Sequence, residues 1–196
     1  MFASSIDKET LNSLPRIHFT GQIVVAEKES DLLQWLPMLC QEKIIGFDTE
    51  SKPSFKKGKI NGISLLQLAN SKLAILVRLK KTGIPDTLKE FLENPEIVKV
   101  GAATHDDLKG LQKLNRFTPN GFIDLQRIAP TYGIEELSVK KLSAVVLGAT
   151  VSKGQQLSNW EADVLTEAQK IYASTDAWVC REIYLKLISH TPKQEH

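Results

Sequence analysis

Asp48 and Glu50 stand two residues apart in the run KIIGFDTE. Side chains of an extended chain alternate faces, so on a strand both carboxylates project from one side while Phe47 and Thr49 project from the other. A D-x-E pair alone is common and often does no more than end a strand at the surface. Two further acids change its weight. In HDDLKGLQKL, helical spacing puts Asp107 in line with Leu111 and Leu114, the face that has to pack inward, although a first-turn acid also complements the helix dipole. In EAQKIYASTDAWVCREIY, Tyr172 and Asp176 are four apart, and Asp176 interrupts an apolar stripe of Ala173, Ala177 and Cys180. An ionised carboxylate buried alone is costly, so this position asks for a cation, a metal or a raised pKa. Arg127 or Arg181 would serve as the partner in a purely structural ion pair.

Acids converging from one strand and two helices repel one another unless divalent cations lie among them. All-oxygen ligation without a His or Cys cluster selects Mg²⁺ or Mn²⁺ over zinc. Two such ions about 4 Å apart are a standard apparatus for in-line attack on a phosphodiester. Tyr172, one turn from Asp176, is placed to orient or deprotonate the attacking water. The residues therefore point to metal-dependent phosphodiester hydrolysis by Asp48, Glu50, Asp107, Tyr172 and Asp176. A Ser-His-Asp triad, a Walker phosphate loop and an H-E-x-x-H zinc motif are all missing.

The elements that must position these groups follow from periodicity. GQIVVAE, KIIGFDTE, NGISLLQLA, KLAILVRL, EIVKVG and GFIDL read as strands, the third and fourth joined as a hairpin at Asn70 and Ser71. KESDLLQWLPML reads as a helix that Pro37 disturbs or ends, and PDTLKEFLEN as a short helix with Asp86 or Thr87 as cap. LSVKKLSAVVLG runs from a Ser138 cap to a Gly148 stop. The last helix opens on a capping box of Thr166 and Gln169 and carries its stripe through Cys180, Ile183, Tyr184 and Leu187. Strands alternating with helices imply one α/β layered domain around a mixed sheet.

Three segments, IIGFDTE, VGAATHDDLKGL and LSNWEADVLTEAQKIYASTDAWVCREIY, resemble in order and spacing the three motifs of the DEDD 3′–5′ exonucleases. The Y-x-x-x-D spacing at Tyr172 and Asp176 is similar to that of the tyrosine subclass, which includes ribonuclease D, the Werner helicase exonuclease domain and polymerase proofreading domains. The resemblance covers about residues 22 to 189, which leaves 1–21 as an N-terminal extension and 190–196 as a C-terminal tail. It implies a ribonuclease H-like three-layer fold, a five-stranded mixed sheet flanked by helices with the acids at its centre. It also implies that Asp48, Glu50 and Asp176 hold the first of two divalent cations with the attacking water. Asp48 would bridge to the second ion, and Asp107 would act as a metal residue near that ion, directly or through water. Thr49 matches a position whose backbone meets the terminal nucleotide. The implied activity removes nucleotides from a free 3′ end of DNA or RNA as nucleoside 5′-monophosphates. The rivals are a non-catalytic nucleic-acid-binding module, against which the full set of acids weighs, and a nuclease of very short oligonucleotides.

Charge adds a second hint. The chain sums to +2, far from the basic excess of many nucleic-acid binders, yet SKPSFKKGK places four lysines directly after the acidic FDTE. Lys52 would position phosphates and Phe55 would stack on a base, unless the segment is simply a solvated loop. Lys153, Lys140 and Lys141 admit the same two readings. Trp160 reads as packing or as a base platform, and His105 as a helix-entry residue. At 196 residues with 42% hydrophobic composition, the chain builds its own core and leaves no room for a separate substrate-binding domain, so specificity is expected from its loops, a protein partner or self-association. Cys40 and Cys180 read as free thiols, no apolar run approaches the roughly 20 residues that span a bilayer, and MFASSIDKET is not a secretory signal. A soluble, cytoplasmic protein without membrane association is expected.

Overall fold

The computed structural model describes residues 2–54 and 61–192. Six strands form one sheet: β1 (Gln22–Ala26), β2 (Ile44–Ser51), β3 (Ile63–Ala69), β4 (Leu73–Arg78), β5 (Val98–Gly101) and β6 (Phe122–Asp124), in the order β1-β4-β3-β2-β5-β6. β2, β3 and β4 run antiparallel, whereas β1 pairs parallel with β4, β5 with β2 and β6 with β5. The expected hairpin between β3 and β4 is present. Asn70 closes it by accepting the backbone N–H groups of Lys72 and Leu73, each at 2.8 Å. The strand count departs from the five implied by resemblance, because β1 adds a parallel strand to the β4 edge.

Helices cover both faces: α1 (Lys8–Ser13), α2 (Glu29–Leu39), α3 (Leu79–Thr82), α4 (Asp86–Glu93), α5 (Thr104–Gln112), α6 (Leu125–Ile128), α7 (Val139–Leu147) and α8 (Glu167–Ile188). On one face Phe47, Leu66, Leu68, Ile75 and Val77 pack with Leu32 and Leu36 of α2, Leu88 and Leu92 of α4 and Leu111 of α5. On the other, α8 lies across the sheet. A Cβ built on Gly46 of β2 would sit 1.8 Å from the Ala177 carbonyl oxygen, so glycine is what lets strand and helix meet.

The anticipated helix signals hold at α7 and α8. Ser138 accepts the Lys141 N–H, Gly148 ends α7 at φ +66°, and Thr166 with Gln169 forms the capping box of α8. Three boundaries differ. Pro37 does not end α2, since it falls in the last turn on the exposed side, where the lost donor is cheapest. Pro85, not Asp86 or Thr87, is the N-cap residue of α4. Leu114 lies past the end of α5 and is exposed, so Leu111 with the partly buried Leu108 carries the apolar inward face there.

Residues 2–21 lie against this body. Phe19 is buried and donates its N–H to Thr175 Oγ1 at 3.0 Å, and Phe2 packs its ring on Tyr132 and His190. No helix among the described residues is long and apolar enough to cross a membrane.

Candidate active site

Gly46, Asp48 and Glu50 share one face of β2, the face that α8 covers. Because Gly46 lies against the Ala177 carbonyl, the preceding residue of α8, Asp176, is brought over Asp48. One oxygen from each of Asp48, Glu50 and Asp176 lies within 4.8 Å of the other two. All three are partly buried and open on a cleft of about 280 Å³, with Tyr172 beside them and Lys140, Ser152, Lys153 and Gln156 among its other lining residues.

This crowding sets the electrostatics. Burial, then the charges of Asp176, Asp107 and Glu50, push Asp48 well above the carboxylate range. Burial and the charges of Asp176 and Asp107 raise Glu50 to about 8. Asp176 rises to about 7 through burial, partly offset by a hydrogen bond from Tyr172 and the charge of Lys153. Burial and the nearby carboxylates push Tyr172 far above the phenol range, so it stays protonated and donates to Asp176. That favours orienting water over deprotonating it. Neither Arg127 nor Arg181 neutralises the group: among the described residues no ion pair reaches these acids, and Arg181 is engaged by Glu42 and Glu182. Converging carboxylates that no cation among the described residues pairs with fit a hard divalent ion, whose charge would offset their repulsion.

Asp107 lies outside this tight group. It stands at the start of α5 across β2, where it accepts the Thr49 hydroxyl at 2.5 Å. Burial, then the charges of Asp106 and Asp124, raise it to about 6 against that hydrogen bond. Asp107, Thr49 and Glu50 line an adjoining cleft of about 480 Å³, and Gln156 borders both clefts. Asp124 fixes the start of α5 by accepting the N–H groups of Ala103 and Thr104, at 3.0 and 3.1 Å. Sequence reading missed this acid and Gln156. The short strand-to-helix spacing of Asp124 before QRI was the available signal for a cap, which it also provides to Gln126.

The expected substrate contacts separate. Thr49 and Lys153 line the main cleft, and Lys52 lines the adjoining one while paired with Glu161 at 3.6 Å. An exposed pair of that kind contributes about 1 kcal/mol at most and is readily exchanged for phosphate. Phe55 and the lysines that follow it lie outside the described residues. Trp160 is a correction to the base-platform alternative: it is fully buried with Leu65, Leu76 and Tyr172, its ring 6.0 Å from the tyrosine ring, and cannot receive a base there. His105 is exposed within the first turn of α5.

Residues 23–191 match the family model described as 3′–5′ exonuclease. The mouse bifunctional 3′–5′ exonuclease/ATP-dependent helicase WRN is 33% identical over 186 residues, covering 90% of this chain and 13% of that protein. The human exonuclease 3′–5′ domain-containing protein 2 is 32% identical over 186 residues, covering 87% of this chain and 30% of its own length. The chain thus spans less than a third of either relative. The crystal structure of Escherichia coli RNase D superposes with a TM-score of 0.76 at 24% identity, over 86% of this chain and 44% of that one, and shows the shared fold.

Proposed function

The chain belongs to the 3′–5′ exonuclease family, and from that premise we propose that it is a metal-dependent hydrolase acting at the 3′ end of nucleic acid and releasing nucleoside 5′-monophosphates. The observation that carries this reading is the convergence of Asp48, Glu50 and Asp176 within 4.8 Å at the floor of a cleft. These acids would hold the first of two Mg²⁺ or Mn²⁺ ions, and Asp48 together with Asp107 would serve a second. Bound ions of this kind polarise the phosphate and activate water. The chain's own groups do the rest. Tyr172, a phenol beside Asp176, orients the attacking water, which supports placement in the tyrosine subclass. The Thr49 hydroxyl holds Asp107, and Thr49 lines the main cleft, where its backbone would meet the terminal nucleotide. Lys153 and Lys52 supply cations to the backbone phosphates on either side.

Residues 22–189 would form the catalytic unit, with residues 2–21 packed against it and 190–196 following it in the sequence. Further grip on substrate would come from its loops, a protein partner or a second copy. Cys40 and Cys180 are free thiols, which agrees with a cytoplasmic setting. The test is degradation of 5′-labelled DNA and RNA, single- and double-stranded, with Mg²⁺ or Mn²⁺. Stepwise shortening from the 3′ end with release of 5′-monophosphates is expected. It should be abolished in Asp48→Ala and Asp176→Ala variants that keep the wild-type circular dichroism. Intact substrates throughout, or products released from the 5′ end, would overturn the assignment.

A further inference from the structure

Gln67 of β3 is fully buried, and neither its amide nitrogen nor its amide oxygen has a hydrogen-bond partner. Native folds leave few such groups, because each has lost its water without replacement. Its place in the sheet is specific. In the antiparallel register of β2 with β3, Gln67 stands directly opposite Asp48. Opposed residues present their side chains on the same face, with Cβ atoms about 4.5–5.5 Å apart. On its other side Gln67 opposes Leu76 of β4. Leu76 and Leu65, two positions before Gln67, belong to the cluster that encloses Trp160. The indole Nε1 of Trp160 is a second buried donor without a partner. A carboxylate, an amide and an indole N–H thus occupy neighbouring positions under α8.

We infer that Gln67 is a positioning residue for Asp48. In the metal-bound state its amide turns so that its N–H donates to a free Asp48 oxygen and its oxygen accepts from Trp160 Nε1, contacts that none of these groups makes in this structure. This rests on the reading of Asp48 as a metal ligand. The pairing satisfies one donor and one acceptor of the amide together with the indole. An amide also suits the task chemically: it donates to an ionised carboxylate without carrying a charge that would compete with the cation, as a lysine or arginine would. Gln67 touches neither substrate nor the reacting atoms, and acts through Asp48.

The experiment is Mn²⁺ titration of the full chain by calorimetry, with thermal unfolding followed by circular dichroism. Gln67→Leu keeps the bulk and removes both polar atoms. It should bind Mn²⁺ about 10–100-fold more weakly, the effect typical of losing the outer partner of a ligand, while its unfolding temperature stays close to wild type. Trp160→Phe keeps an aromatic ring and removes the donor. It should show a smaller loss that vanishes in the Gln67→Leu background, since the indole acts through the amide. Mn²⁺ affinity within about twofold of wild type in a folded Gln67→Leu variant overturns the proposal, and additive losses overturn the link to Trp160. Where Gln67→Leu fails to fold, the wild type decides: the Gln67 side-chain amide resonances should move on saturation with Mg²⁺, and unmoved resonances are the contrary result. A wild-type protein that binds no Mn²⁺ removes the metal reading and this proposal together. Wild-type binding with indifferent variants removes the proposal alone.

Discussion

The geometry of the site's acids is set in part by neighbours that do no chemistry. Gly46 is the clearest case. With a Cβ 1.8 Å from the Ala177 carbonyl oxygen, Gly46→Ala must push α8 off β2 and draw Asp176 away from Asp48 and Glu50. Overpacking against backbone predicts a loss of about 3 kcal/mol, read by denaturant unfolding. A displacement near 1 Å at the carboxylates predicts roughly 100-fold lower nuclease activity. Wild-type activity in the alanine variant would show that strand and helix spacing does not govern the site. The acids also make a pH prediction. Glu50, Asp176 and Asp107 titrate near 8, 7 and 6, above their ordinary values of 4.5, 3.8 and 3.8. Between about pH 4 and pH 8 the metal-free native state therefore holds protons that the unfolded chain has released, and stability falls as pH rises through that window. Metal-free protein should melt at a higher temperature at pH 6 than at pH 8. Mg²⁺ or Mn²⁺ should raise the melting temperature more at pH 8, because the ion displaces fewer protons there. An equal metal-induced rise at both pH values would mean that these carboxylates do not receive the ion.

At the scale of the element, what local rules govern was legible and what packing decides was not. The Ser138 and Thr166 caps and the Asn70 turn depend on residues within a few positions and stand where the sequence places them. The alternation of β2 puts Asp48 and Glu50 together and Thr49 opposite, as the period of two requires. By contrast, the way Asp107 approaches from α5, held by the Thr49 hydroxyl and sharing a cleft with Glu50 while standing outside the trio of Asp48, Glu50 and Asp176, is a relation only the layer order reveals. Lys99, in the run EIVKVG, is likewise fully buried, its Nζ bonded to the Asn94 carbonyl at 2.7 Å and to that of Phe91 at the end of α4. Nothing in its neighbours along the chain announces that. The entry to α5 shows how much such contacts matter. Ala103 takes a left-handed φ of +58°, and Asp124 holds the N–H groups of Ala103 and Thr104. Losing an N-terminal cap typically costs about 1 kcal/mol, so Asp124→Ala should destabilise by about 1–2 kcal/mol with the backbone strain no longer restrained. Activity should fall beyond what stability explains, because Asp107 sits on the first turn of the loosened helix. Ala103→Gly, which removes the conformational strain, should restore part of the stability in the Asp124→Ala background. No restoration would place the cost elsewhere than at this turn.

At the scale of the molecule, the near-neutral charge sum conceals a division between cleft and rim: unpaired carboxylates on the floor, with Lys140, Lys153 and Lys52 among the residues lining the two joined clefts. The same scale shows how the amino-terminal extension meets the rest of the chain. The family match begins at residue 23, yet Phe19 is buried beneath α8 with Ala69, Ala74 and Ala177, and its N–H is accepted by Thr175, the residue before Asp176. Leu11 is buried too, Ile17 donates to the Thr150 carbonyl at 2.9 Å, and Phe2 packs between Tyr132 and His190. The segment therefore braces the helix that carries Tyr172 and Asp176. A chain starting at Gln22 would expose that apolar surface and leave Thr175 without its backbone donor. The expectation is a fall in stability of several kcal/mol, with Phe19→Ala alone accounting for about 3–5 kcal/mol, the usual range for a buried phenylalanine. Because α8 loses its brace next to Asp176, metal affinity should weaken in Phe19→Ala even at temperatures where the variant is fully folded. Unfolding in denaturant, followed by Mn²⁺ titration of the folded variant, separates the two effects. Unchanged affinity would confine the segment to stability, whereas weakened affinity would make it part of the apparatus that aims the third carboxylate.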